Sequence, residues 1–181
     1  GTTDDAGYCF TAAYDRDGDE TYTVVLNSST NDQRFADTAT LANWYYGHKV
    51  TVAIANTQEK TANGNPLMAR ISQTDWTDKT IDATLADPTA QATVFSLAGE
   101  VTEKVSYDDL SGTVHVGDKV GSVTLKQDGT KIAVMDLVAD EEGAGPNPIE
   151  WLLVKLDRLG RRIDNRPLTA ESATVAKAPE V

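Results

Sequence analysis

The hydrophobic and polar positions at the start of the chain predict two strands and a helix. Apolar, aromatic and β-branched residues predominate in Tyr8–Tyr14 and Thr21–Leu26, and the polar, glycine-containing stretch Asp15–Asp19 between them predicts a hairpin turn. From Asp32 to Tyr46 the apolar residues follow helical spacing, and Gly47 suits the end of a helix. Because two strands and one helix bury little apolar surface, this set is expected to need a partner layer.

From Lys49 onward the pattern becomes a series of short β-type segments separated by turn residues. Strands of this length and number predict a small sandwich-like or barrel-like domain. The dipeptide Asp128–Gly129 between the last two segments is typical of a tight hairpin turn. The predicted strands are Val50–Ala55, Leu67–Ser72, Thr80–Leu85, Ala92–Leu97, Glu100–Ser106, Thr113–Val116, Lys119–Lys126 and Lys131–Val138.

Alternation within the last hairpin predicts which of its side chains are buried. The inward face is expected to carry Val123, Leu125, Ile132 and Val134, and the other face Thr124 and Ala133.

An amphipathic helix is predicted near the end of the chain. Asn147 is placed as its N-cap, Pro148 at the first helical position, Glu150 for a capping box and Gly160 at its end. Residues 161–181 are polar and lack periodicity, so they are predicted to form a disordered tail. One apolar stripe follows this helix, made of Ile149, Leu152, Leu153, Leu156 and Leu159.

This helix has two interpretations that the residues leave open. Its stripe could pack on the β-rich domain or on another copy of the chain. Alternatively, the helix could lie in a membrane interface, with Trp151 and the arginines that follow the helix at the lipid headgroups.

The composition is that of a soluble globular protein: 40% of the 181 residues are hydrophobic and 24% are charged. The formal net charge of −12 argues against a nucleic-acid partner, for which a basic patch is expected. Cys9 is the one cysteine, and its setting between Tyr8 and Phe10 predicts a core thiol rather than a reactive one. Since His48 and His115 are isolated, no metal site is predicted, and no cofactor is expected.

Recognisable catalytic motifs are absent from these residues. The sequence contains no Ser-x-x-Lys, G-x-S-x-G, H-E-x-x-H or phosphate-binding loop. Ser29–Asn31 fits Ser-x-Asn, but such a short triplet arises easily by chance. The residues alone therefore predict a soluble α+β protein with a β-rich second half and no visible catalytic set.

The opening residues Gly1–Cys9, Gly-Thr-Thr-Asp-Asp-Ala-Gly-Tyr-Cys, resemble a segment of a known enzyme family. They resemble the residues that follow Lys-Thr in the Lys-Thr-Gly motif of serine D-alanyl-D-alanine carboxypeptidases, the low-molecular-weight penicillin-binding proteins. Gln33–Asp37 and Leu41–Trp44 match the last helix of the family's catalytic domain. Gly117–Val123 and Asn147–Leu159 look like parts of its C-terminal β domain and of its terminal, membrane-anchoring helix.

The resemblance implies an α+β fold with several parts. Residues 1–48 are expected to be the C-terminal part of the penicillin-binding domain, a β-hairpin plus a helix left from a transpeptidase-like α/β sandwich. Residues 49–145 are expected to form a small all-β, sandwich-like domain, and residues 146–160 a C-terminal amphipathic helix ahead of the tail 161–181. Because the chain begins inside the matched motif, it is expected to be a fragment.

The resemblance also implies a site. Gly1 matches the glycine of Lys-Thr-Gly, the backbone N–H of Thr2 matches an oxyanion-hole donor, and Arg34 matches the arginine that holds the substrate's terminal carboxylate. An arginine at the start of a helix is unfavourable against the helix dipole, which favours a functional reason for Arg34.

The partners implied by the resemblance are a peptidoglycan stem peptide and, for the full-length enzyme, β-lactams. The expected location is the extracytoplasmic face of the bacterial cell membrane, with membrane-surface contact through Pro148–Leu159.

Two function classes follow. The leading hypothesis is the C-terminal part of a carboxypeptidase that removes the terminal D-Ala of stem peptides through an acyl-serine intermediate. Without Ser-x-x-Lys, the chain itself is expected to be inactive. The alternative is a non-catalytic extracytoplasmic module whose β domain binds the cell wall or an envelope protein. A β-lactamase relative is less favoured, because such enzymes usually end near the equivalent of Tyr46.

Overall fold

The structure is a computed structural model and describes residues 1–181. It contains eleven strands and two helices, which confirms the predicted α+β fold class. The elements in chain order are β1 (Thr2–Thr3), β2 (Gly7–Arg16), β3 (Asp19–Ser28), α1 (Gln33–Gly47), β4 (Lys49–Ala53), β5 (Ala69–Ser72), β6 (Thr80–Leu85), β7 (Gln91–Phe95), β8 (Val101–Tyr107), β9 (Lys119–Gln127), β10 (Thr130–Ala139), α2 (Pro148–Ile163) and β11 (Ala173–Thr174).

The chain divides into two compact units. Unit 1 comprises Gly1–Val50 and Phe95–Leu97, and unit 2 comprises Thr51–Val94 and Ala98–Val181. Strands β4 and β7 pair with each other in a two-stranded ribbon. The identities assigned to residues 1–48 and 49–145 stay predictions.

Unit 1 is a three-stranded antiparallel sheet in the order β1-β2-β3, with α1 packed against β2 and β3. Asp17 and Gly18 adopt positive φ angles of 56° and 83°, the conformation that a tight hairpin turn between β2 and β3 requires. Val25 of β3 and Ala42 of α1 are buried. The Tyr14 hydroxyl donates a hydrogen bond to Thr38 Oγ1 on α1 at 3.1 Å, which ties the hairpin to the helix.

The opposite face of the β2–β3 hairpin is exposed. Tyr22, Val24 and Leu26 alternate along β3 and are 69%, 58% and 74% exposed. Their period of two places all three on one side of the sheet. The residues of unit 1 thus leave one apolar sheet face uncovered.

Unit 2 is built on a six-stranded antiparallel sheet in the order β11-β5-β6-β10-β9-β8. The Tyr107 hydroxyl on β8 lies 2.6 Å from Thr174 Oγ1 on β11, so the two outer strands meet and the sheet nearly closes on itself. The predicted turn at Asp128–Gly129 joins β9 and β10, and both residues have positive φ. The fully buried core side chains include Ile54, Met68, Ile71, Leu85, Val94, Val120, Val123, Leu125 and Leu137.

Two β-strand predictions are wrong in detail. Residues 113–116 form no strand, and Val114 makes only an isolated bridge to Gly143. Val134 is 48% exposed rather than inward-facing. A register shift between Lys131 and Ala133 brings Ala133 opposite Leu125, so the extra residue reverses the alternation that follows it.

The structure also differs from the sequence predictions after residue 160. Helix α2 continues through Gly160 to Ile163, and an ion pair of 2.7 Å between Asp157 and Arg161 spans the glycine. In the expected disordered tail, β11 pairs with β5, and Ala176 is buried. Such pairing relies on backbone hydrogen bonds, which leave no apolar periodicity in a sequence.

Candidate functional site

The first residues form the edge strand of the unit 1 sheet. The Cys9 N–H donates to the Gly1 carbonyl at 3.0 Å, and the Gly1 amino group donates to the Cys9 carbonyl at 3.0 Å. Thr2 faces Tyr8 as the next pair along the ladder. In an antiparallel ladder, hydrogen-bonded and non-hydrogen-bonded pairs alternate, so the Thr2 N–H points away from β2. Because β1 is an outer strand, this N–H is directed at the open edge of the sheet.

Arg34 reaches this edge from the first turn of α1. Its Nη1 donates to Thr2 Oγ1 at 3.0 Å and to the Cys9 carbonyl at 3.3 Å. Its guanidinium carbon lies 4.9 Å from the centre of the Phe35 ring. The fold therefore brings Gly1, Thr2 and Arg34 together, although Thr2 and Arg34 are 32 positions apart in sequence.

The charge of Arg34 is not neutralised by a carboxylate. Both of its hydrogen-bond partners are neutral oxygens, and its Nε is buried without a partner. A guanidinium carries five N–H donors in a fixed planar geometry that suits carboxylates. The arrangement can therefore hold an anion beside the open edge of β1.

Cys9 contributes through its backbone, a role that the sequence analysis missed. Its carbonyl accepts hydrogen bonds from both Gly1 and Arg34. Its thiol is half-buried rather than part of the core and donates to the Ala6 carbonyl at 3.2 Å. A backbone acceptor leaves no side-chain pattern, so only the β1–β2 register reveals it.

The Ser29–Asn31 triplet lies just before α1, whose N-cap is Asp32. The Thr30 hydroxyl accepts a hydrogen bond from the Gln33 N–H at 3.1 Å, and the Asn31 amide donates to Asp32 Oδ1 at 3.3 Å. These are local contacts typical of a helix N-terminus. They give the triplet a structural role, in line with its low weight as a Ser-x-Asn motif.

Helix α2 carries the second candidate surface. Asn147 accepts hydrogen bonds from the Ile149 and Glu150 N–H groups, and Glu150 accepts one from Asn147, so the predicted capping box is present. Val154 is the buried residue of this helix, and Arg158 Nη2 donates to the Trp76 carbonyl at 3.1 Å. The exposed apolar side chains of α2 are Ile149, Trp151, Leu152, Leu153, Leu156, Leu159 and Ile163.

Neither helix has the length and continuous apolar character that crossing a bilayer requires. The structure also holds no group of three or more His, Cys, Asp or Glu side chains arranged to bind a metal ion.

Two solved structures are similar to this chain. The D-alanyl-D-alanine carboxypeptidase DacD from Francisella tularensis is 18% identical with a TM-score of 0.40, over 81% of this chain and 35% of that one. Penicillin binding protein 5 from Haemophilus influenzae is 18% identical with a TM-score of 0.41, over 79% of this chain and 41% of that one. The chain thus spans 35% to 41% of the length of these proteins. No protein-family model and no curated protein matches the sequence.

Proposed function

We propose that this chain is the C-terminal portion of a serine-type D-alanyl-D-alanine carboxypeptidase and supplies one wall of its substrate site. The observation that carries the proposal is the contact between Arg34 and Thr2. The motif resemblance selected these two residues separately, and the fold joins them at the open edge of β1. A contact across such a sequence distance is not expected from two unrelated motif matches.

The proposed chemistry divides between the backbone and the arginine. The Thr2 N–H is one donor to the oxyanion that forms when the carbonyl of the scissile bond is attacked. Arg34 holds the terminal carboxylate of the stem peptide. The nucleophilic serine and its activating lysine belong to other parts of the parent enzyme, which passes through an acyl-serine intermediate and releases D-Ala.

Covalent labelling tests the predicted inactivity of this chain. Incubation with a fluorescent penicillin should give no labelled band, because the sequence contains no Ser-x-x-Lys. A labelled band would contradict this part of the proposal. A complete gene that encodes no Ser-x-x-Lys upstream of Gly1 would contradict the parent assignment.

Ligand binding tests the site itself. In an NMR titration with acetyl-D-Ala-D-Ala, the amide signals of Thr2 and Cys9 should shift. The Arg34→Ala variant should lose this response, and Arg34→Lys should retain only part of it, since lysine lacks the planar pair of donors. Arg16→Ala is the matched control, because Arg16 donates to Asn43 at the other end of the hairpin. Equal responses in all three variants would rule out the role of Arg34.

The proposed location is the extracytoplasmic face of a bacterial cell membrane, with α2 at the membrane surface. The exposed apolar face of α2 and the cation Arg162 near its C-terminal end suit an interface with anionic lipid. Co-sedimentation with vesicles containing phosphatidylglycerol should decrease in the double variant Trp151→Ala, Leu156→Asp. Unchanged sedimentation would exclude membrane contact through α2.

A second candidate function is a non-catalytic module that binds the cell wall through unit 2. The observation in its favour is that unit 2 has its own buried core and nearly closed sheet. Pelleting of the whole chain with insoluble peptidoglycan sacculi, unaffected by Arg34→Ala, would support this function over the substrate site in unit 1. A lack of pelleting would exclude it.

A further inference from the structure

A buried carboxylate at the end of β10 has no partner for one of its two oxygens. Asp140 follows directly after β10 in unit 2 and is only 6% exposed. Its Oδ1 accepts a hydrogen bond from Asn65 Nδ2 at 2.8 Å, whereas its Oδ2 is buried without a hydrogen bond. Asp140 also forms no ion pair. Because buried charges in proteins are usually paired with another charge or bound to a metal ion, this oxygen is a candidate ligand for a cation.

A second carboxylate, that of Asp82 on β6, lies opposite Asp140. The Asp140 N–H donates to the Asp82 carbonyl at 2.9 Å, which continues the pairing of β6 with β10 one residue beyond Ala83 and Ala139. Residues opposite each other in an antiparallel pair carry their side chains on the same face of the sheet, with Cβ atoms about 4.5–5.5 Å apart. The two carboxylates therefore lie side by side on one face.

The negative charge at this place exceeds what the nearby cation balances. Arg70 Nε lies 3.5 Å from Asp82 Oδ1, but the same guanidinium is shared with Glu59, whose Oε2 lies 3.0 Å from Arg70 Nη2. Burial raises the pKa of Asp82, and the charges of Glu141 and Asp140 raise it further, whereas Arg70 lowers it. Arg70 is the only cation among the charged groups that act on Asp82, so the balance of charge is negative.

Two asparagine side chains from the loop before β5 bring further oxygen atoms to Asp140. Asn63 Nδ2 donates to the Asp140 carbonyl at 2.6 Å, and Asn65 is held by its hydrogen bond to Oδ1. The amide nitrogens are thus engaged, whereas the amide oxygens of both asparagines accept no hydrogen bond. Together with the two carboxylates, these amides form a set of oxygen ligands.

We propose that this set binds a calcium ion through the carboxylates of Asp82 and Asp140, with the amide oxygens of Asn63 and Asn65 and water completing the coordination. Calcium takes about six to eight oxygen ligands in a flexible arrangement, and it binds carboxylate, amide and water oxygens. Magnesium demands nearly ideal octahedral geometry, which suits a set divided between strand ends and a loop less well. The set has two carboxylates and falls short of a metal centre with three acidic ligands. Its Kd should therefore lie at the weak end of protein calcium sites, at about 0.1–1 mM.

A calcium titration of the whole chain, followed by NMR, tests this inference. CaCl2 should cause saturable shifts of the amide signals of residues 63–65, 82 and 140–141, and NaCl at the same ionic strength should not. Asp140→Asn keeps the size of the side chain and an oxygen for Asn65, and its affinity for calcium should fall about tenfold or more, because affinity follows the charge of the ligands. Asp82→Asn should weaken binding in the same way and provides the test if Asp140→Asn does not fold. Asp109→Asn, which removes an exposed carboxyl from the loop after β8, is the matched control and should leave the affinity unchanged.

Three outcomes would overturn the inference. Unchanged affinity in both Asp140→Asn and Asp82→Asn would show that neither carboxylate is a ligand. Equally tight binding of MgCl2 would contradict the assignment to calcium. Shifts that grow in proportion to the calcium concentration, or that NaCl reproduces, would show general screening of an acidic surface without a bound ion. The Arg34 site lies in unit 1, so none of these outcomes bears on the carboxypeptidase proposal.

Discussion

Glu103 is an ionisable side chain in an apolar setting on β8. Both of its carboxylate oxygens are covered and lack hydrogen-bond partners, although the residue as a whole is only half-buried. On the same face it has Val101 and Val105 along β8 and Leu125 opposite on β9, none of which is ionisable. Burial raises the pKa of the Glu103 carboxyl from 4.5 to about 7.

A pH-dependent loss of stability follows from this pKa. The folded-state pKa of Glu103 lies above its unfolded value. The contribution of the neutral carboxyl to the free energy of unfolding is therefore complete below pH 4.5 and is lost as the pH rises through about 7. After allowance for solvent screening, about 1–2 kcal/mol should be lost between these limits. Urea unfolding at pH 5 and pH 8 measures this, and Glu103→Gln should reduce the pH dependence by that amount. Glu100→Gln, which removes an exposed carboxyl just before β8, should not.

Gly121 shows how tightly β8 and β9 approach each other. A methyl group at this position would collide with the carbonyl oxygen of Ser106 and come within 3.3 Å of the Tyr107 Cα, both of which are backbone atoms. Gly121→Ala should therefore destabilise the protein by about 1–3 kcal/mol through overpacking.

Gly160→Ala should instead stabilise the protein, because Gly160 lies in α2 with open space around it and alanine favours a helix by about 1 kcal/mol. Thermal unfolding of both variants measures these changes. An unchanged midpoint in Gly121→Ala would mean that β8 and β9 separate easily to make room for the methyl group.

The sequence could identify residues of the candidate site but not its geometry. Gly1, Thr2 and Arg34 were selected by a motif match, which carries no distances. The outward direction of the Thr2 N–H depends on the β1–β2 register, and that register is set by backbone pairing of Gly1 with Cys9. The two hydrogen bonds that the Cys9 carbonyl accepts could not be predicted either, because every residue carries the same backbone acceptor.

Among the elements, α2 depends on its capping box because little of it is buried. Val154 is the one buried residue on a helix of 16 residues, so tertiary packing contributes little to its stability. Asn147→Ala removes an acceptor for the Ile149 and Glu150 N–H groups and should cost about 1 kcal/mol. Hydrogen exchange in the first turn of α2 should speed up about fivefold, whereas Asn147→Asp should retain the protection. Equal exchange in both variants would show that packing alone holds this turn.

Local sequence patterns predicted the hairpin turns better than they predicted which side chains of the strands are buried. The turns at Asp17–Gly18 and Asp128–Gly129 are specified by residues that tolerate positive φ, a property visible in the sequence. The orientation of Val134 depends instead on the register shift after Lys131, which no residue type marks. Once an extra residue enters a strand, the period of two continues on the wrong face.

At the scale of the whole chain, the last ten residues complete the unit 2 sheet. After α2, the chain returns to β5, more than 90 positions earlier in sequence, and adds the outer strand β11. Ser172 Oγ accepts a hydrogen bond from the Ser72 N–H at 2.9 Å. Two residues later, Thr174 Oγ1 lies within hydrogen-bond distance of the Tyr107 hydroxyl on β8. The sequence predicted disorder for residues 161–181 because they are polar and lack periodicity. Such a segment gains its order from a partner edge and not from an apolar pattern of its own.

Removal of this segment should therefore destabilise unit 2. A chain ending at Glu171 loses the hydrogen bonds to the Met68 carbonyl and to Asn56. With net values of about 0.5–1.5 kcal/mol for each hydrogen bond, and with less conformational entropy to lose, about 2–4 kcal/mol should be lost. Tyr107→Phe removes only the hydrogen bond between Tyr107 and Thr174 and should lower the free energy of unfolding by about 1 kcal/mol. Urea unfolding followed by far-UV circular dichroism measures both changes. If the truncated chain unfolds at the same midpoint as the whole chain, the C-terminal segment does not belong to the cooperative unit.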